Sequence, residues 1–348
     1  LRLLIEHGLK YAILSPAQAA RVRAAMSPHW LDVSNGGIDT RRPYRWWSAA
    51  PGASPFIDLF FYDGSLSQAV AFGRLMGNAR HAAAEFEKRY SNEPAVPELV
   101  SVCTDGETYG HHEKFADLGL AHLLYEAAPA KSLQVVNYGW YLSQYPPTWE
   151  ARLQPGPQGL GTSWSCEHGL ARWCDACPCG AAEAGQTRWR KPLREALDWL
   201  RHRLADIFEG EGGAIFKEAW EARNDYISLL LDSSPENEAR FWQRHLKGGA
   251  RGRVGEARRL LEMQKFALYM YTSCAWFFAD LSGLEAVHNL KYAARAIELA
   301  GQASGRELES EFLKRLALAP SNDARYGDGA GVYQALVRPG IDANSSRA

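Results

Sequence analysis

The sequence predicts an α/β part followed by an all-α part, a partial parallel barrel or sheet that ends in a helical domain. Three observations carry this expectation. Over residues 1–150 short apolar strand patterns alternate with helical ones, the signature of parallel βα units. Residues 151–190 form a Cys-, Gly- and Pro-rich connection with no regular period. Residues 191–340 are expected to form an α-helical domain, with no convincing strand pattern from Lys191 to about Leu318.

Taken in order, Leu1-Arg-Leu-Leu-Ile-Glu-His-Gly8 reads as the closing turns of an amphipathic helix, with Gly8 in the left-handed position past its end. Tyr11 to Leu14 reads as a short strand. A helix that starts without a cap and leads straight into a strand sets up the expectation that further sequence precedes Leu1. Residues 56–62 are a buried strand ending at Asp63-Gly64, followed by helical spacing over 66–90 through Val70, Leu75, Ala83 and Phe86. Residues 99–104 are the next strand, ending at Asp105-Gly106, and helical spacing returns at Phe115, Leu118, His122 and Tyr125. Residues 133–137 give a further strand, then Trp140-Tyr141 and a stop at Pro146-Pro147. In the second part Pro192 suits the first position of a helix whose apolar face is Leu193, Leu197, Leu200, Leu204 and Ile207. Residues 220–231 and 253–278 are further helical stretches. Ser282-Gly-Leu-Glu285 predicts a capping box for a helix bearing Leu284, Val287, Leu290, Ala294 and Ile297. Residues 344–348 predict a frayed tail.

Composition narrows the function classes. The 348 residues are 46% hydrophobic and 23% charged, a globular profile with room for a large core or two domains. The 39 basic and 40 acidic residues nearly cancel. Nucleic acid or an anionic membrane as main partner would call for a basic surplus, so neither is expected. No apolar run approaches the ~20 residues that cross a bilayer. Leu1 to Leu9 carries Arg2, Glu6 and His7 without a cleavage site, so a secretory leader is not expected there. Six cysteines are too few for a disulfide scaffold, and a reducing, cytoplasmic compartment is the expectation.

In parallel α/β architectures ligands sit at the carboxyl ends of strands. Three successive predicted strands end in Asp63, Asp105 and Asn137, and the second is the richest in chemistry. Thr104-Asp-Gly-Glu-Thr-Tyr-Gly-His-His112 places two carboxylates two residues apart, with two imidazoles after them. Gly106 and Gly110 permit the tight backbone such a cluster needs. In an extended segment Asp105 and Glu107 point to the same side, an arrangement that suits a general acid. A solvated loop with a helix-capping Asp is the plain structural alternative. Asp105, Glu107, His111 and His112 as mixed O and N ligands of zinc or manganese are a second functional one.

The segment from Thr104 to His112 resembles the fourth signature region of glycoside hydrolase family 57, an apolar strand ending in Asp-x-Glu-x-x-Gly-His. The resemblance implies that Asp105 is the catalytic general acid/base. Glu107, Gly110 and His111 match the rest of that motif, and His112 lies where the family often has an aromatic residue. The stretch from Tyr269 to Asp280 resembles the family's last signature region, and Asn137-Tyr-Gly-Trp140 and Thr162-Ser-Trp-Ser-Cys-Glu-His168 resemble an uncharacterised subgroup of it. The implied fold is an incomplete (β/α)7 barrel with a C-terminal helical domain. The implied chemistry is retaining hydrolysis or transfer at α-glycosidic bonds, with an oligo- or polysaccharide as substrate and no cofactor or metal. Such chemistry needs two carboxyl groups ~5–5.5 Å apart. No Glu in the sequence matches the family's nucleophile motif, which is expected upstream of Leu1, so residues 1–348 alone are expected to hydrolyse nothing. Asp63 is expected to bind substrate, as are Glu107, His111, His112, Trp140, Trp164, His168 and Trp276.

Two further features stand out. Cys166-x-His168 is followed by Cys174, Cys177 and Cys179, of which zinc would accept four, although the spacing is not a common finger pattern. Reduced loop thiols, or a sugar contact through His168 and Trp164, are the alternatives. Among twelve tryptophans, Trp199 and Trp220 have core spacing, whereas Trp140, Trp164 and Trp276 lie in or beside the resembling segments and offer aromatic faces to sugar C–H groups. The competing functions are a metal-dependent hydrolase or deacetylase on a similar barrel, and a glycan-binding protein without catalysis. Linkage and oligomeric state are left open.

Overall fold

The computed structural model describes residues 1–49, 51–52, 54–92, 96–179 and 186–339. It divides into two compact units, one running through Gly169 and the other beginning at Leu170. The tail expected at 344–348 lies outside the described residues.

The first unit is built on one six-stranded mixed sheet. Its strands are β1 (Tyr11–Leu14), β2 (Ala19–Ala24), β3 (Leu31–Asp32), β4 (Tyr44–Trp47), β5 (Phe56–Phe61) and β6 (Trp149–Leu153), in the order β1-β5-β4-β6-β2-β3. β1 pairs parallel with β5, and β4 touches β6 in parallel; the β4/β5, β2/β6 and β2/β3 pairs are antiparallel. β5 is buried from Ile57 onward, as its apolar residues predict for a strand covered on both faces, with Asp58 the one charged residue in it. Ile57, Leu59 and Phe61 join a core with Ala19, Val22, Tyr44 and Ala151. Phe60, pointing the other way, meets Tyr138 and Tyr141.

β2, β3, β4 and β6 lie outside the expected strands; β3 is only two residues long, and arginines or a glutamate interrupt the apolar residues of the other three. Cross-strand pairs hold them instead. Arg23 lies opposite Glu150 in register and donates to it at 2.6 Å. The same buried carboxylate accepts from the Trp47 indole at 3.1 Å, and Arg45 donates to Asp58 across the β4/β5 pair at 2.8 Å. Conversely, the strands expected at 99–104 and 133–137 are not regular strands. A ladder needs successive bonds to one neighbour, whereas the Leu99 amide goes to the Arg41 carbonyl and the Cys103 amide to the Ser67 hydroxyl.

The helices of this unit are α1 (Arg2–Glu6), α2 (Gly64–Ala71), α3 (Ala79–Glu87), α4 (Ala116–His122), α5 (Ala128–Ala130) and α6 (Tyr138–Gln144). Gly8 takes φ +77° after α1, as its position predicts. Leu66, Val70, Met76, Ala82, Ala116 and Leu123 form a second small core between α2, α3 and α4.

The second unit is helical: α7 (Arg190–Ile215), α8 (Ala219–Asp225), α9 (Ile227–Leu231), α10 (Pro235–His245), α11 (Val254–Tyr269), α12 (Leu284–Ser304), α13 (Glu309–Leu316) and α14 (Gly329–Val332). The predicted stripe Leu193, Leu197, Leu200, Leu204 and Ile207 of α7 is buried throughout. α7 begins at Arg190, so Pro192 occupies its first turn rather than its first position. The helix expected over 253–278 stops at Tyr269. There the Thr272 hydroxyl takes the Tyr269 carbonyl at 2.7 Å, a side-chain competitor for the backbone. The capping box at Ser282 does not form. Gly283 is the N-cap of α12, which leaves Glu285 one position short of the reciprocal bond. Trp220 is 39% exposed rather than core; its ring lies against Phe208 and its indole N–H reaches Glu209. Trp199 is half-buried against the core. No helix among the described residues is long and apolar enough to cross a membrane.

Candidate active site

Although two of the three expected strands are irregular, the segments that carry Asp63, Asp105 and Asn137 meet. The Asp63 amide donates to the Ser101 carbonyl at 2.9 Å. Cys103 reaches the Ser67 hydroxyl of α2 at 3.1 Å. Tyr138, next to Asn137, sets its ring 4.8 Å from Phe60 of β5 and 6.0 Å from Tyr11 of β1. Burial there pushes the Tyr138 phenol up to about 12, with Ser101 and Cys103 beside it, and burial also raises the Cys103 thiol.

Asp105 caps a single 3₁₀ turn, Gly106–Thr108, with its own backbone extended at φ −63°, ψ 143°. Its carbonyl accepts the Thr108 amide at 3.1 Å, and Thr108 anchors the turn by its burial. Gly110, at φ +102°, lets the chain fold back. The His112 amide then bonds the Glu107 carbonyl at 2.8 Å and the Gly110 amide bonds the Glu113 carbonyl at 3.1 Å. The outcome is a compact knuckle on which Asp105, Glu107, His111 and His112 are all exposed. The two imidazole rings lie 5.3 Å apart.

Several expectations are corrected. Asp105 and Glu107 do not share the side of a strand, since a 3₁₀ turn rotates about 120° per residue. Asp63 is the N-cap of α2, with both carboxylate oxygens engaged. One of its oxygens accepts Leu66 N at 2.8 Å and the Ser65 hydroxyl at 2.9 Å; the other lies 3.2 Å from Arg89 Nε. Trp276 is 1% exposed and offers no face to a sugar. Trp140 and Trp164 remain accessible, at 38% and 62%; the Asn137 side chain fixes Trp140 by accepting its amide at 2.8 Å. His168 is drawn into a separate cluster. Its ring and the thiols of Cys166, Cys177 and Cys179 place one donor atom each within 4.8 Å of one another. Among the described residues that is the group that converges, whereas Asp105, Glu107, His111 and His112 do not gather as one metal-ligand set.

Sequence reasoning passed over Glu113. It follows the two histidines directly, and its Oε2 is buried with no hydrogen-bond partner among the described residues. Its adjacency to the imidazole pair was the available signal.

Comparison with known proteins adds two findings. Residues 186–345 match a family described as a domain of unknown function, DUF3536. Among solved structures, the chain is similar to an exo-type maltose-forming amylase from Pyrococcus sp. ST04, with a TM-score of 0.54 at 13% identity. That likeness covers 97% of this chain and 66% of the amylase chain, so the chain spans just under two thirds of its length. No curated protein matches the sequence. The fold is thus the mixed α/β and helical architecture of an amylase.

Proposed function

We propose that the protein is a carbohydrate-active enzyme of the glycoside hydrolase family 57 type. It acts on an α-glucan by retaining hydrolysis or glucan transfer, with Asp105 as general acid/base. The observation that supports this most is the exposed Asp105 knuckle, reached by a segment whose Ser101 carbonyl takes the Asp63 amide just after β5, on a chain similar in fold to an amylase over almost its whole length.

In this reading Asp105 protonates the departing glycosidic oxygen while a carboxylate nucleophile attacks the anomeric carbon. The glycosyl-enzyme formed is then opened by water or by a sugar hydroxyl, whose proton Asp105 takes back. Asp63 is held by its cap and by Arg89, and the nucleophile of this mechanism is a Glu rather than Asp63. Glu107, His111 and His112 contact substrate hydroxyls, and Trp140 and Trp164 stack on sugar faces.

The test is Asp105→Asn in the complete protein. Release of reducing ends from soluble starch is expected to fall by about 10²–10⁴, the usual worth of a positioned acid. Retardation of the variant in a starch-containing native gel is expected to persist. An unchanged rate overturns the assignment.

A further inference from the structure

We infer that Cys166, His168, Cys177 and Cys179 form a closed structural zinc site, separate from the sugar chemistry. All four donor atoms lie within 4.8 Å of one another. Zinc with Zn–S of about 2.3 Å sits in a tetrahedron whose edges are about 3.8 Å, so little movement separates this arrangement from a ligand shell. Cys177 Sγ and Cys179 Sγ are 3.1 Å apart. Cys166 and Cys177 are buried, and His168 and Cys179 are half-buried.

The local chain explains why these four meet. Gly169, at φ +73°, turns the backbone with its amide on the Cys166 carbonyl at 3.2 Å. The 3₁₀ turn Ala171–Trp173 follows, closed by the Asp175 amide on the Ala171 carbonyl at 2.8 Å. This reversal returns the Cys-x-Cys pair to the Cys-x-His pair. It also sorts the candidates, for Cys174 is exposed and its thiol donates to the Leu170 carbonyl at 3.2 Å, outside the cluster.

Three thiolates and one imidazole are a donor set that zinc favours over harder cations. Four protein ligands leave no open position, which marks the site as structural. Binding displaces the three thiol protons and uses the neutral imidazole, so zinc with three thiolates carries a net charge of −1. The Arg190 guanidinium, buried completely, donates to the Cys177 carbonyl at 3.1 Å. A fixed positive charge therefore stands beside the anionic shell.

Elemental analysis of the purified full-length protein is expected to find one zinc per chain. Cys177→Ser/Cys179→Ser and His168→Ala are expected to lose it; Cys174→Ser and Cys274→Ser are expected to keep it. Because ligand variants can misfold, a second measurement uses the wild-type protein. Stripping the metal with a chelator is expected to expose three further thiols to a colorimetric reagent, and added zinc alone is expected to protect them again. Cobalt in place of zinc is expected to give the visible bands of a tetrahedral thiolate site. Protein that takes up no zinc on titration, equal zinc in wild type and the double-serine variant, or a Cys177–Cys179 disulfide in the native protein overturns the proposal.

Discussion

Asp63 and Asp105 both follow apolar segments, yet their surroundings give them different work. The first has its oxygens committed to a helix start and to Arg89; the second faces solvent on a knuckle. Asp63→Ala is therefore expected to cost about 1 kcal/mol of stability through the lost cap, read as a shift in urea midpoint. Asp105→Asn should leave that midpoint unchanged. A similar contrast separates the tryptophans. Trp164→Ala is expected to weaken malto-oligosaccharide binding by about 1 kcal/mol, the scale of one aromatic stacking contact, whereas Trp276→Ala is expected to cost ~3–5 kcal/mol of folding stability. Asp280 supplies the pH dependence. Burial alone would raise its carboxyl, but hydrogen bonds from Ser282, Asn322 and Ser321 outweigh that and hold it below the usual range. A depressed carboxylate contributes stability above its unfolded value and loses it as pH falls through the folded one. Asp280→Asn is thus expected to flatten the acid limb of a thermal-melting profile measured below about pH 4.

At the scale of elements, the sequence was most legible where apolar residues predominate. The α7 stripe and β5 were readable because their apolar residues are buried, β1 because its short run is mostly apolar, and the Gly8 stop because glycine takes the left-handed backbone freely. β2 and β6 were not, because arginine, glutamate and tryptophan pairs across strands replace the alternation that signals a sheet. The segment 99–104 failed for the opposite reason: it has the apolar residues, but its amides are spent on a loop carbonyl and a serine hydroxyl. The 105–112 cluster was recognisable as a group, while its 3₁₀ wind depends on a backbone path that residue types alone do not specify. The knuckle in turn rests on α4, whose Gly119 comes so close to the Met76 carbonyl that a Cβ there would lie 2.1 Å from the oxygen. Gly119→Ala is expected to destabilise the first unit by about 1–3 kcal/mol, as overpacking does, and to lower turnover together with thermal midpoint.

For the whole molecule, 39 basic and 40 acidic residues leave a formal charge of −1. Near pH 7 the chain has almost no net repulsion between copies, so light scattering at low salt is expected to peak close to neutrality and to fall on either side. The same balance predicts no retention on a polyanionic column at moderate ionic strength. The twelve indoles also differ in their access to water, with Trp164 open and Trp189 and Trp276 sealed. Ultraviolet emission from this protein will consequently contain a red, acrylamide-quenchable fraction and a blue, protected one. A glucan that covers Trp140 and Trp164 should dim only the former, giving an optical titration of occupancy without any label.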